Sequence, residues 1–328
     1  MNRLTVLFLL LLSAGCRGGS QPPSDRRDGH EFLRCADAQD DGRTEKISLP
    51  PLTAIRNGSD LKITGGDSAV VRVGLLAGLS DTAPETLTAI KYFLDRFKAA
   101  RVQAIIVAGD TGRTESQIRT ILDALAQAPI PILVIPGAQE SFHGFRNAIA
   151  ALRTTHPQIV DLTLVRRVFM KNICFLSLPG EQNPFYLEAG DQGCSYEPED
   201  VTAIVSAAPS NMTAVLVSPT PPRGRGPAAA DRGRGAVNIG DPAITDAMVD
   251  HEVRFGLHGH VVESGGSATP LSGEDPIPPG LWHTSFILQA GSASAAPVLM
   301  ANGGRSAGMA HIVEFSGNRG RYRTLYAP

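Results

Sequence analysis

Five short turns carry the residues of this sequence that could do chemistry. They are Asp81-Thr82-Ala83, Gly109-Asp110-Thr111-Gly112-Arg113, Gly137-Ala138-Gln139-Glu140, Ser218-Pro219 and Gly259-His260-Val261-Val262. Carboxylates and imidazoles brought together from separate turns are the donors of a divalent-metal site and the groups of general acid–base catalysis. His258 and His260 flank a glycine in an extended segment, so strand alternation puts them on one face, where Asp110 could complete a single-metal site. Arg113 brings a planar guanidinium fork that suits phosphate or carboxylate, which makes it the anion-binding candidate. Asp81 and Asp110 also have a structural use, because a carboxylate ahead of a helix accepts backbone N–H bonds and favours the positive end of the dipole. Glu140 reads as support for its own turn.

Each turn must be positioned by the element before it. Val70–Ala77, Ala104–Ala108, Ile130–Ile135, Ala214–Ser218 and Val253–Leu257 are apolar runs suited to strands covered on both faces. Between them, Pro84–Ala100 spaces Leu87, Ile90, Leu94 and Phe97 as a helix, with Thr82 and Glu85 set as a capping box. A second helix carries Ile118, Ile121, Leu122 and Leu125 on one side, and Ser141–Leu152 reads as a third. Leu162–Val168 and Ile173–Leu178 read as neighbouring strands, and Asp200–Ala207 and Pro242–Asp250 as helices. Ser285–Gln289, His311–Phe315 and Tyr322–Leu325 close the chain as strands. The alternation predicts a layered α/β fold with a largely parallel sheet. In such sheets the ligand crevice lies beyond the carboxyl ends of the strands, where the five turns fall.

In order and spacing the turns resemble those of the calcineurin-like metallophosphoesterases, over essentially the whole chain from Val70 to Leu325. Gln289-Ala290-Gly291-Ser292 also resembles the Gly-Ser turn that follows that family's last motif. The resemblance implies the family's fold, a β-sheet sandwich flanked by helices. It also implies a two-metal site built from Asp-x-His, Gly-Asp-x-x-Asp, Gly-Asn-His-Asp/Glu, a lone His and Gly-His-x-His. Carried over, one metal would take Asp81, position 83, Asp110 and position 262, and the other Asp110, position 138, position 219 and His260. Positions 83, 138, 219 and 262 are Ala83, Ala138, Pro219 and Val262, which offer no side-chain lone pairs. The family's leaving-group acid falls on Gln139, which is no proton donor at neutral pH. Metal affinity rests on the number of deprotonated donors, so no tightly held metal pair is expected.

The chain begins Met1-Asn2-Arg3, continues apolar from Leu4 to Leu12, and reaches Ser13-Ala14-Gly15-Cys16. A positive tip, a short apolar run and small residues are the parts of a secretory signal, and the ending resembles the lipobox of bacterial lipoproteins. The expectation is a signal peptide over 1–15 and lipidation at Cys16. Arg17 after the cysteine, by the same resemblance, points to the outer membrane. Residues 16–49 are polar and rich in Gly, Pro and Asp, which predicts a flexible tether with a reach of about 30 Å. A single domain is expected over 50–328.

Basic and acidic residues nearly balance, 30 against 32, and aromatic residues make up 5% of the chain. That composition lacks the footprint of a nucleic-acid binder. The loop from Thr220 to Gly240 carries Arg223, Arg225, Arg232 and Arg234 without interleaved aromatics, and reads as a solvated loop, a mobile flap or a basic contact to acidic envelope polymers. With Cys16 lipidated, Cys174 falls in an apolar run, while Cys35 and Cys194 lie in polar loops and could pair in an oxidising compartment. The leading reading is a lipid-anchored envelope protein that binds or interacts without catalysis, with an anionic small molecule or envelope component as candidate partner. The alternative is a divergent phosphoesterase using one Mn, Fe or Zn held by Asp81, Asp110, His258 and His260. A structural lipoprotein with no ligand is the third.

Overall fold

The computed structural model describes residues 33–36, 41–66 and 68–328. The expected signal peptide, Cys16 and most of the expected tether lie outside the described residues. The chain opens with β1 (Leu33–Arg34), β2 (Thr44–Leu49), β3 (Leu52–Asn57), β4 (Asp60–Gly65) and β5 (Val71–Leu76). Three strand–helix units follow: α1 (Pro84–Ala99), β6 (Ala104–Ala108), α2 (Glu115–Leu125), β7 (Ile132–Ile135), α3 (Phe142–Leu152) and β8 (Ile159–Asp161). The second half holds β9 (Arg167–Met170), β10 (Ile173–Ser177), β11 (Cys194–Ser195), α4 (Pro198–Ser206), β12 (Thr213–Ser218), α5 (Pro242–Asp250) and β13 (Phe255–His258). It ends with β14 (Ala268–Thr269), β15 (Phe286–Gln289), β16 (Val298–Leu299), β17 (Arg305–Ser306), β18 (Met309–Ser316) and β19 (Arg319–Tyr326).

Two large sheets face each other. One has the order β19-β18-β5-β6-β7-β8, and the other β14-β15-β13-β12-β10-β9-β4-β3-β2. β5 through β8 run parallel, as do β10, β12, β13 and β15. Alternation along β6 shows the layering: Ile106 points into the core between the sheets, with Val217, Leu257 and Leu288 among the residues there. Ile105 and Val107 point the other way, into a second core formed with Phe93 and Phe97 of α1 and Ile121 and Leu122 of α2. A third core sets Leu176 and Leu216 against Val201 and Val205 of α4 and Met248 of α5. The result is helix, sheet, sheet, helix, which is why the strands read as unbroken apolar runs.

Several boundaries differ from the sequence reading. α1 has Ala83 as its N-cap with no side-chain cap bond, so Thr82 and Glu85 form no capping box. Pro84 begins the helix, and the Asp81 carboxylate instead accepts the Ala83 amide at 2.9 Å. β2 takes Thr44–Leu49 into the large sheet, inside the stretch expected to be tether; its backbone pairs with β3 along its length. Cys35 is joined to Cys194 by a disulfide with Cα atoms 5.5 Å apart. Beside it β1 pairs with β11 in parallel, so the chain ahead of the domain is fastened to the loop that precedes α4. Cys174 is free and buried in β10, and burial pushes its thiol up to about 12. The Thr220–Gly240 loop is folded on itself: the buried Asp231 carboxylate accepts the Asn238 amide at 2.7 Å and the Gly240 N–H at 3.0 Å.

Candidate functional site

The turns after β6, β7, β10, β12 and β13 meet where the two sheets converge. Glycine makes this approach possible. A Cβ on Gly259 would stand 2.0 Å from the carbonyl oxygen of Ala108 at the end of β6, so the β13 turn can lie against the β6 turn only without a side chain there. Gly109, at φ +91°, is likewise set against the backbone of Gly137. Asp110 and His260 follow these glycines and hold left-handed backbone themselves, at φ 58° and 64°. That conformation is uncommon outside glycine and survives where the surroundings over-determine it.

Asp110 sits at the centre. Its Oδ1 accepts the amides of Ala138 and Gln139 at 2.9 and 3.1 Å. Its Oδ2 lies 3.8 Å from His260 Nδ1. His260 Nε2 in turn lies 3.9 Å from Oε2 of Glu181, a residue on the turn after β10. Glu181 is buried and accepts the Thr220 hydroxyl at 2.6 Å and the Asn183 amide at 3.2 Å. Burial alone would lower the His260 pKa; the carboxylates of Asp110, Glu181 and Glu263 outweigh it and take the imidazole up to about 9. His260 is therefore an imidazolium at neutral pH, held between two buried carboxylates and against the Tyr186 ring at 5.7 Å.

Glu140 braces the same turn, accepting the amides of Thr111 and Gly137. Burial, and then the Asp110 carboxylate, push its carboxyl up to about 7. Asp81 accepts the Ser294 hydroxyl as well as the Ala83 amide; burial opposes ionisation there, and those bonds together with Thr86 hold the pKa below the usual value. Its carboxylate caps a turn.

His258 does not join His260. Ser218 Oγ donates to the Thr220 carbonyl at 2.6 Å, so the 2.9 Å contact with His258 Nδ1 assigns the proton to that nitrogen. His258 Nε2 lies back against Gly256, whose absent Cβ would come within 2.2 Å, and has no partner among the described residues. Burial lowers its pKa to about 3, which keeps the ring neutral. The expectation of a shared face fails because the turn at Gly259 and the positive φ of His260 break the two-residue alternation. Arg113 is also differently engaged: its Nε and Nη2 both donate to Glu188 Oε2, the former at 2.8 Å, so a carboxylate of this chain satisfies the fork expected to take an anion.

The metals of the resembling family do not fit these residues. Ala83, Ala138, Pro219 and Val262 stand where the resemblance would put four of the ligands, and one oxygen of Asp110 is spent on backbone amides. Among the described residues no group of three or more His, Cys, Asp or Glu side chains could hold a metal ion. Glu181 escaped the sequence reading, although its signal was present: Gly180-Glu181 follows a buried strand as Gly109-Asp110 does.

The protonation pattern has a consequence for stability. A raised histidine pKa contributes stability that is fully present below about 6.5 and lost as pH rises through about 9. Glu140 acts in the same direction, its contribution being lost as pH rises from 4.5 through about 7. The depressed His258 acts oppositely and only below 6.5. Stability measured by urea denaturation is therefore expected to fall between pH 6.5 and 9, on the order of 2–3 kcal/mol from His260. His260→Gln should flatten that limb above pH 7; a wild-type curve level from pH 6.5 to 9 would contradict the assignment.

No protein-family model matches this chain, and no curated protein does. Solved structures are similar in fold. One crystal structure matches with a TM-score of 0.57 at 11% identity, over 78% of this chain and 99% of that one. GAP50, the anchor in the inner membrane complex of Plasmodium, matches with a TM-score of 0.50 at 14% identity, over 79% of this chain and 85% of its own. A dimetal phosphatase from Danio rerio gives 0.49 at 12% identity, over 79% and 99%. The architecture, two facing sheets flanked by helices, is a layered α/β fold shared with the first two of these structures.

Proposed function

We propose that this chain is a lipid-anchored protein of the bacterial envelope whose metallophosphoesterase-like fold serves as a binding or interaction module and not as a catalyst. The observation that carries the reading is the Asp110–His260–Glu181 cluster. Where the resembling family places cations between carboxylates, this chain supplies its own cation, the His260 imidazolium, at 3.8 and 3.9 Å from its two acidic neighbours. One positive charge thereby stands between the two carboxylates, and Oδ1 of Asp110 is committed to backbone amides. The one-metal phosphoesterase alternative would need Asp81, Asp110, His258 and His260 to converge, and each of them has another use. A protein of like fold is the anchor in the inner membrane complex of Plasmodium, a role of the kind proposed here.

The membrane attachment rests on Cys16 and the residues before it, with the outer membrane as the proposed site. Among the described residues no helix is long and apolar enough to cross a membrane. The test is fractionation of the full chain and of Cys16→Ala expressed in a bacterium. The wild type is expected in the membrane fraction with a lipid mass on Cys16, and the variant without that mass and released from the membrane by high salt. Equal, salt-resistant membrane association of both would overturn the anchor.

A further inference from the structure

A cleft of about 520 Å³ opens between the edges of the two sheets, away from the crevice. The β2–β3 hairpin supplies one wall, and α3 with the segment after β8 the other. Four guanidinium groups line it, those of Arg43, Arg56, Arg146 and Arg153, against the carboxylates of Glu45 and Asp161. Its floor is apolar, with Ile149, Leu164 and Val165. A volume of this order suits a small ligand.

The carboxylates at the cleft pair with its arginines but leave part of their donor capacity open. Glu45 accepts Nη2 of Arg153, whose Nη1 donates to the Ile159 carbonyl at 2.7 Å. Asp161 accepts the amide and hydroxyl of Thr163 at 2.8 and 2.6 Å, and stands 3.9 Å from Arg146 Nε. Asp41 takes Arg56 Nη2 at 2.7 Å and lies 3.9 Å from Arg43 Nε. Arg56 is fixed from behind by donating its Nε to the Gly58 carbonyl at 2.8 Å, and its side chain is only 6% exposed. What remains is donor capacity. Among the described residues no hydrogen bond engages Nη1 of Arg56 or the guanidinium groups of Arg43 and Arg146. The last two are 76% and 47% exposed.

We propose that this arginine-lined cleft binds a phosphate group, carried by an envelope lipid headgroup or by a free phosphoester. One carboxylate would occupy a single fork, whereas several guanidinium donors on opposite walls suit a group presenting three or more acceptor oxygens. The apolar floor beside them would accept the non-polar part of such a ligand. Asp41, which positions Arg56, lies just ahead of the strand by which the chain enters the large sheet. The inference deepens the proposed binding role and rests on that role only for the source of the ligand.

The test is chemical footprinting of arginines with phenylglyoxal on the full chain, read by mass spectrometry at Arg43 and Arg146. One arm adds inorganic phosphate or glycerol 3-phosphate against sodium chloride of equal ionic strength. The other places the anchored chain in vesicles of phosphatidylcholine alone or with phosphatidylglycerol. Several-fold slower modification of Arg43 and Arg146 with the soluble phosphates, lost from Arg43 in Arg146→Gln, establishes the site and a free phosphoester as its source. The same protection only in phosphatidylglycerol vesicles establishes it with a lipid source. Equal modification in every arm, or protection by chloride as strong as by phosphate, overturns the proposal. Anchoring is read separately from Cys16→Ala, so failure of the cleft and failure of the envelope reading are distinguishable.

Discussion

Replacing His260 with alanine is expected to destabilise the protein by about 3 kcal/mol at pH 7, because it leaves two buried carboxylates facing an empty space with no counter-charge. The separations, 3.8 and 3.9 Å, exceed a hydrogen bond, which places the figure at the lower end of the range for a broken buried pair. The loss should be largely electrostatic. Adding Asp110→Asn to His260→Ala keeps the acceptor for the Ala138 and Gln139 amides while removing one of the stranded charges. The double variant should therefore be more stable than His260→Ala alone. Urea denaturation of the three proteins settles it: a single-variant loss below about 1 kcal/mol, or no recovery in the double, would remove the imidazolium from its assigned role.

A comparably large effect is expected at the other end of the chain. The Cys35–Cys194 bond closes a loop with a sequence separation of 159 residues. Cross-links over long loops restrict the unfolded ensemble most, and loss of such a bond costs about 2–5 kcal/mol. Both sulfurs belong to buried residues, so the bond should resist mild reductant in the native protein. The paired substitution Cys35→Ala with Cys194→Ala should lower the urea midpoint and steepen the slope, because the unfolded chain then exposes more surface. It should also free the Leu33–Arg34 strand from β11, readable as faster amide exchange in that strand. An unchanged midpoint would mean that the bond constrains nothing that folding must order.

The layered fold was legible because the strands at Ala104–Ala108 and Ile132–Ile135 are covered on both faces and so are written without polar interruption, and Val71–Leu76 is broken only by Arg72. The turns were legible for a different reason. Their glycines are required by backbone contact, as Gly259 against Ala108 shows, and so mark the turns whatever side chains stand beside them. What the sequence hid lies where tertiary contacts override local pattern. β2 is an edge strand with only Ile47 buried, so Thr44–Leu49 reads as polar chain. The arginine-rich loop reads as solvated because nothing local announces that Asp231 will be buried and tie it together. His258 and His260 look alike in sequence, and only the backbone between them separates a neutral ring on Ser218 from a charged one between Asp110 and Glu181.

In the proposed reading the crevice carries its own cation, the His260 imidazolium, in place of bound metals. The most direct measurement is metal content by mass spectrometry on the full chain, after incubation with manganese, zinc and iron and then desalting. Far less than one metal per chain is expected, in a protein that remains folded by circular dichroism. Near-stoichiometric metal that disappears in Asp110→Ala would overturn that reading and favour the one-metal phosphoesterase alternative.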